Sequence, residues 1–103
     1  MRRLRLGKVD LDEGGHRAFD LEGRLVLVSR FDGAFFAISD LCSHAGCLLS
    51  GGKVDGRYVT CPCHGATFDL ITGTNVNAPH LCADQDVWEV ADEGGELVVI
   101  TDD

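Results

Sequence analysis

Residues 42–47 read Cys42-Ser43-His44-Ala45-Gly46-Cys47, and residues 61–66 read Cys61-Pro62-Cys63-His64-Gly65-Ala66. Each stretch offers a thiol and an imidazole at close spacing, C-x-H in the first and C-x-x-H in the second. Sixteen residues separate His44 from Cys61. A thiolate and an imidazole so placed reach one metal centre from a single loop, and two such loops meeting at a tip supply four ligands. Two centres compete on chemistry alone. One zinc ion would accept two thiolates and two imidazoles in a tetrahedral structural site. A [2Fe–2S] centre would take both thiolates on one iron and both imidazoles on the other. Zinc spacings usually pair Cys with Cys and His with His, whereas each loop here mixes the two, which disfavours zinc.

Outward from these boxes the chain reads as β-structure. Leu25 to Val28 is an apolar, β-rich run ending at Asp32-Gly33, a strong hairpin signal, and Ala34 to Ile38 returns from it. Arg17 to Leu21 alternates loosely before the turn residues Glu22-Gly23. The closing segment repeats the device, with Val87 to Val90, a turn at Glu93-Gly94-Gly95, and Leu97 to Ile100. Arg57 to Thr60 and Thr67 to Leu70 are short strand candidates between loops. No long helical period competes. The expectation is one domain over residues 1–103, with a cluster-binding lobe at about 41–81 inserted in a β-scaffold.

Composition narrows the function classes. Nine Lys and Arg stand against seventeen Asp and Glu, a formal net charge of −8. Phosphate backbones repel such a surface, so no nucleic-acid partner is expected. Acidity suits brief docking on basic partners, or solubility alone. The basic start, Met1 to Arg5, is not followed by an apolar run of signal-peptide length, and nothing later reaches the length of a membrane span. A cytoplasmic location is the default expectation. Five cysteines then call for a reason other than a disulfide framework. No phosphate loop, nucleophile motif or dinucleotide fingerprint is present.

At the two boxes the chain resembles the Rieske family, whose pattern is C-x-H, about sixteen residues, then C-x-x-H. The likeness extends to Gly46, Cys47, Cys63, Gly65, Phe68-Asp69, Gly73 and Pro79. It implies an all-β fold, an antiparallel β-sandwich or barrel with a small cluster-binding lobe. It also implies one [2Fe–2S] cluster per chain, with Cys42 and Cys61 on the inner iron and His44 and His64 on the outer. The implied role is electron carriage without bond chemistry, as a ferredoxin between a flavin reductase and a terminal oxygenase. The alternative is a small subunit of a larger oxidoreductase, of nitrite or arsenite type. Histidine ligation leaves the oxidised centre neutral rather than anionic, placing the class at roughly −150 to +300 mV. Added charge on reduction favours protonation of an exposed imidazole, so proton-coupled reduction is expected at alkaline pH.

A second layer surrounds these four residues. High-potential members of the family carry a disulfide at the positions of Cys47 and Cys63, and the resemblance implies one here. Those members also have Ser and Tyr at the positions of Ala66 and Phe68, whose hydroxyls withdraw charge from sulfur. Ala45 likewise stands where they have a larger, shielding residue. A disulfide-braced centre of moderate-to-low potential is therefore expected. Cys82 reads as a small buried residue, His80 as a surface residue of a third loop, His16 as part of a turn, and Trp88 as core.

Overall fold

The computed structural model describes residues 1–42, 46–63, 65–80 and 83–101. Its base is built from hairpins. Strands β3 (Arg24–Phe31) and β4 (Ala34–Ser39) pair in register from Val26 with Ser39 to Phe31 with Ala34. Between them Asp32 and Gly33 both take positive φ, 55° and 77°, the two-residue turn whose twist suits antiparallel strands. The Glu13 carboxylate accepts the N–H groups of Gly33, at 2.9 Å, and Asp32. These bonds hold its carboxyl below the usual carboxylate range.

Strand β2 (His16–Leu21) flanks β3, so His16 pairs with Ser29 at a strand start instead of lying in a turn. The later hairpin joins β8 (Val87–Glu93) to β9 (Glu96–Thr101) around Gly94-Gly95. Strand β1 (Arg2–Lys8) adds to β9. The order is β1-β9-β8-β4-β3-β2, closed at its middle by two pairings, Ala37 with Trp88 and Ile38 with Val87. This antiparallel sheet curls into a half-barrel. Its two edges approach each other, where Arg2 of β1 meets Glu22 beside β2 at 2.6 Å. A smaller sheet holds β5 (Lys53–Asp55), β6 (Tyr58–Thr60) and β7 (Thr67–Asp69). Among the described residues, no helix is long and apolar enough to cross a membrane.

The all-β expectation is met, with two strands that local pattern does not announce. β1 buries only Leu4, its other side chains being charged, half-buried or glycine, as an edge strand allows. β5 is three residues long and contributes one partly buried apolar side chain, Val54. Trp88 is half-buried at the rim of the base core, with the Arg24 guanidinium 5.4 Å from its ring.

The apolar run in β3 has a tertiary explanation. Successive side chains point to opposite faces of a strand. Val26 and Val28 enter the curl of the base with Ala37, Leu97 and Val99. Leu27 points the other way and, with Ile38, packs against Leu49, Val59, Phe68 and Leu70 of the lobe. One strand thus carries two cores, and Leu27 with its register partner Ile38 anchors the lobe. Truncation of the fully buried Leu27 to Ala is expected to destabilise the chain by about 3 kcal/mol, read as a lowered urea midpoint.

Candidate metal centre

The first cysteine box opens where β4 ends. Leu41 bridges to Leu48, and the Cys42 N–H donates to the Cys47 carbonyl at 2.7 Å, closing the loop at its base. Asp40, buried beneath, accepts the Ser50 N–H and the Ser50 hydroxyl, each at 2.7 Å, while its carbonyl accepts the Leu49 N–H. Buried Gln85 donates to the carbonyls of Ser39 and Leu41, each at 2.8 Å, and so straddles the exit from β4.

The second box closes in the same way. The Cys61 N–H donates to the Ala66 carbonyl at 2.8 Å, and the Gly65 N–H to the Cys61 carbonyl at 3.1 Å. The Cys47–Cys63 disulfide joins the two loops across 6.4 Å between Cα atoms, with the Cys63 end exposed. Cys42 and Cys61 stand outside that bridge, both buried, in one apolar cluster with Leu49, Val59, Ala66 and Phe68. The fold therefore sorts four cysteines into an outer linked pair and an inner pair of thiols. His44, His64 and Ala45, which sequence places with them, and Cys82 lie outside the described residues. His80 is exposed beside the exposed Pro79.

A third loop leans on the second. Asn77 accepts the Thr67 N–H at 2.8 Å and donates to the Gly65 carbonyl at 2.9 Å. Buried Asn75 binds both backbone groups of Ala78, each at 2.9 Å, and its own N–H donates to Asp84 at 2.9 Å. Gly73 turns the chain with φ 77°, donating to the Asp69 carbonyl and accepting from the Gln85 N–H. A Cβ there would overlap the Gln85 carbonyl, so only glycine fits. Asp40, Asn75, Asn77 and Gln85 are the positioning groups that sequence reading misses. Their polar side chains among loop residues read as solvated turns, and only the folded chain shows which carbonyls they reach.

Asp69 ties the lobe's sheet to this turn. Arg57 donates to its carboxylate at 2.6 and 3.0 Å, and the Ile71 N–H donates at 2.8 Å. Burial pushes the carboxyl up, but the Arg57 guanidinium and the N–H groups of Ile71 and Thr72 outweigh it and hold it below its ordinary value. A carboxyl so lowered stabilises the fold fully above the unfolded carboxylate range, and loses that contribution as pH falls through the folded value. Asp69→Asn is expected to cost about 2 kcal/mol at neutral pH, with the gap from the parent closing on acidification, as read from urea midpoints. The absent hydroxyls make a second test. Ala66 and Phe68 are buried in the cluster that holds both thiols, so Ala66→Ser and Phe68→Tyr bring O–H donors into that cluster. Each is expected to raise the reduction potential of the loaded protein in film voltammetry.

The family model described as Rieske [2Fe-2S] domain matches residues 5–101. The ferredoxin component of the naphthalene 1,2-dioxygenase system of Pseudomonas putida is 33% identical over 70 residues, covering 68% of this chain and 67% of that one. The cytochrome b6-f complex iron-sulfur subunit of Chlorobaculum thiosulfatiphilum is 36% identical over 77 residues, 74% of this chain and 41% of that one. Among solved structures, the ferredoxin of carbazole 1,9a-dioxygenase from Nocardioides aromaticivorans IC177 superposes with a TM-score of 0.82. It is 31% identical, covering 93% of this chain and 96% of that one. Two linked loops, an inner pair of buried thiols and these likenesses converge, and the chain belongs to the Rieske [2Fe–2S] domain family.

Proposed function

We propose that this chain is a soluble, cytoplasmic one-electron carrier, the ferredoxin component of an oxygenase system. It accepts electrons from a flavin reductase and passes them to a terminal oxygenase. The whole of residues 1–103 acts as one unit, with the lobe at about 41–81 as its working end. Support comes from the relatives, which are ferredoxin components of dioxygenase systems, and from the surplus of acidic residues, which favours solubility.

The carrying observation is the sorting of the cysteines. Family membership implies a [2Fe–2S] cluster. The residues fit it, because Cys42 and Cys61 are withdrawn from water into one apolar cluster while Cys47 and Cys63 are tied up elsewhere. In this reading Cys42 and Cys61 hold the inner iron, and His44 and His64 hold the outer. The cluster supplies a site that gains and loses one electron. The chain's part is to keep both thiols dry, to hold the two loops at a constant separation through the disulfide, and to present the histidine side to a partner. Gly46 and Gly65, with φ of 70° and 73°, let each loop turn tightly beside its histidine. Pro79 and the rest of the third loop flank the second box.

The match to a cytochrome-complex subunit and the disulfide favour a second reading, a small electron-transfer subunit of a larger oxidoreductase. Stable co-purification with a large subunit would distinguish it from a free carrier. The deciding measurement is EPR of the dithionite-reduced protein with iron and labile-sulfide analysis. The expected result is a rhombic [2Fe–2S] signal of low average g, with equal iron and sulfide. A colourless protein with bound zinc and no sulfide would establish a structural zinc module instead.

A further inference from the structure

A half-barrel, unlike a closed one, ends in two strand edges, each presenting backbone groups that another chain can pair with. Here the edges are β1 and β2. β1 carries Arg2, Arg3 and Arg5, and its register shifts between Arg5 and Gly7. Charge and a bulge both blunt an edge. β2 instead runs six residues in unbroken register with β3, without lysine, proline or bulge. β1 comes near it at Arg2 and Glu22, but no described strand forms a ladder with its outer side.

The backbone groups of such a strand point alternately inward and outward. The Arg30 N–H donates to the Gly15 carbonyl at 3.0 Å, before β2 begins. At its other end Glu22 and Gly23, with φ of 57° and 89°, close a two-residue turn between Leu21 and Arg24. Both ends therefore assign Arg17, Phe19 and Leu21 to the bonds with β3. The N–H and C=O groups of His16, Ala18 and Asp20 face outward. Their side chains lie on the sheet face of their register partners Ser29, Leu27 and Leu25, where the lobe stands. The lobe's turn Leu49–Gly51 comes near β2 there, yet His16, Ala18 and Asp20 stay exposed. Arg17 and Phe19 lie on the other face, with the guanidinium 5.5 Å from the ring.

A second copy added to this edge by a two-fold axis perpendicular to the sheet runs antiparallel and keeps each face on its own side. Centred on Ala18, that axis sets His16 opposite Asp20 of the second copy and Arg17 opposite Phe19 of the second copy, each pair occurring twice. An imidazole meets a carboxylate, and a guanidinium meets a ring in the closely spaced pairing, with the smallest side chain on the axis. Asp20 gives one oxygen to the Gly23 N–H at 2.9 Å and has a second for the imidazole. All three outward residues find backbone partners. Centring on Arg17 or Asp20 would oppose like charges, and centring on Phe19 would leave Asp20 against Ala18. The stretch His16–Leu21 holds one Arg and one Asp, so this edge has no net charge in a chain of −8.

We propose that β2 is a self-association edge, through which two copies of this chain pair over His16–Asp20, centred on Ala18, with both lobes on one side of a continuous sheet. The contact uses no residue of the cysteine boxes, and it stands whether or not the chain serves an oxygenase. One strand pair buries less than the roughly 1,200 Å² of stable complexes, so the dimer is weak and concentration-dependent.

Sedimentation of the cluster-loaded protein at about 150 mM salt, where repulsion between acidic chains is screened, reads this directly. The average mass is expected to climb toward that of two chains between about 10 µM and about 1 mM. Ala18→Pro removes the N–H on the axis without touching a bond to β3, and is expected to stay monomeric with its visible spectrum unchanged. A parent chain that is monomeric throughout would overturn the proposal, as would an Ala18→Pro chain that still dimerises. Cysteine variants read the register, and they decide the matter if Ala18→Pro fails to fold. Directly opposed Cα atoms about 5.5 Å apart suit a disulfide. Under oxidised glutathione, Ala18→Cys is expected to cross-link about tenfold or more faster than His16→Cys or Asp20→Cys alone, and a mixture of those two to regain the fast rate. Equal rates for all of them, or a parent chain that cross-links as fast as Ala18→Cys, would refute the pairing.

Discussion

Two loops separated by a short hairpin must be pressed together so that Cys42 and Cys61 share one dry apolar cluster, and the rest of the structure answers to that constraint. Among the described residues of 42–47 and 61–66, none belongs to a strand or helix that would resist separation. The Cys47–Cys63 bridge supplies one restraint at the surface, and in the chain-entropy model closing a loop of this length is worth about 3 kcal/mol. The apolar cluster with Leu49, Val59 and Phe68 supplies the other from beneath. A surface link with a buried floor fixes both separation and tilt, which either alone would leave free.

The floor in turn depends on the base. Leu27 and Ile38 face the lobe from strands whose alternate residues fill the half-barrel, so the sheet acts as a wall shared by two cores. Polar groups then finish what packing begins. Loops near a metal centre carry backbone carbonyls and N–H groups that no ladder satisfies, and leaving them unpaired when buried is costly. Gln85, Asp40, Asn75 and Asn77 reach those groups, and each does so across a break in the chain's regular structure. The Arg57–Asp69 pair performs the same service between the small sheet and the turn at Gly73. Rigidity at the working end suits a carrier, because an electron-transfer site that moves little on reduction needs little reorganisation.

The distribution of charge is a separate design choice. An acidic chain gains solubility from its net charge. This chain keeps its charges on the base and the small sheet and leaves the three loops bare. A sum over the composition hides that segregation along the chain.

Much was legible in residues alone. The mixed C-x-H and C-x-x-H boxes favoured a [2Fe–2S] centre over zinc, the group that family membership implies, because residue type and spacing are local properties that survive in one dimension. Asp32-Gly33 and Gly94-Gly95 announced hairpins, since turn geometry is decided by the residues that make it. Other features were out of reach. β1 is charged along most of its length, and β5 is too short to show a period, so both exist by virtue of their partners. Nothing near Asn77 or Gln85 says which carbonyl either will bind, because those acceptors are brought close only by the fold. The sequence by itself determined how closely the thiols and imidazoles are spaced along the chain and where the chain turns, through covalent spacing and local backbone preference. The tertiary structure decided which two thiols are buried together and which two are linked, because burial and proximity are properties of the packed chain.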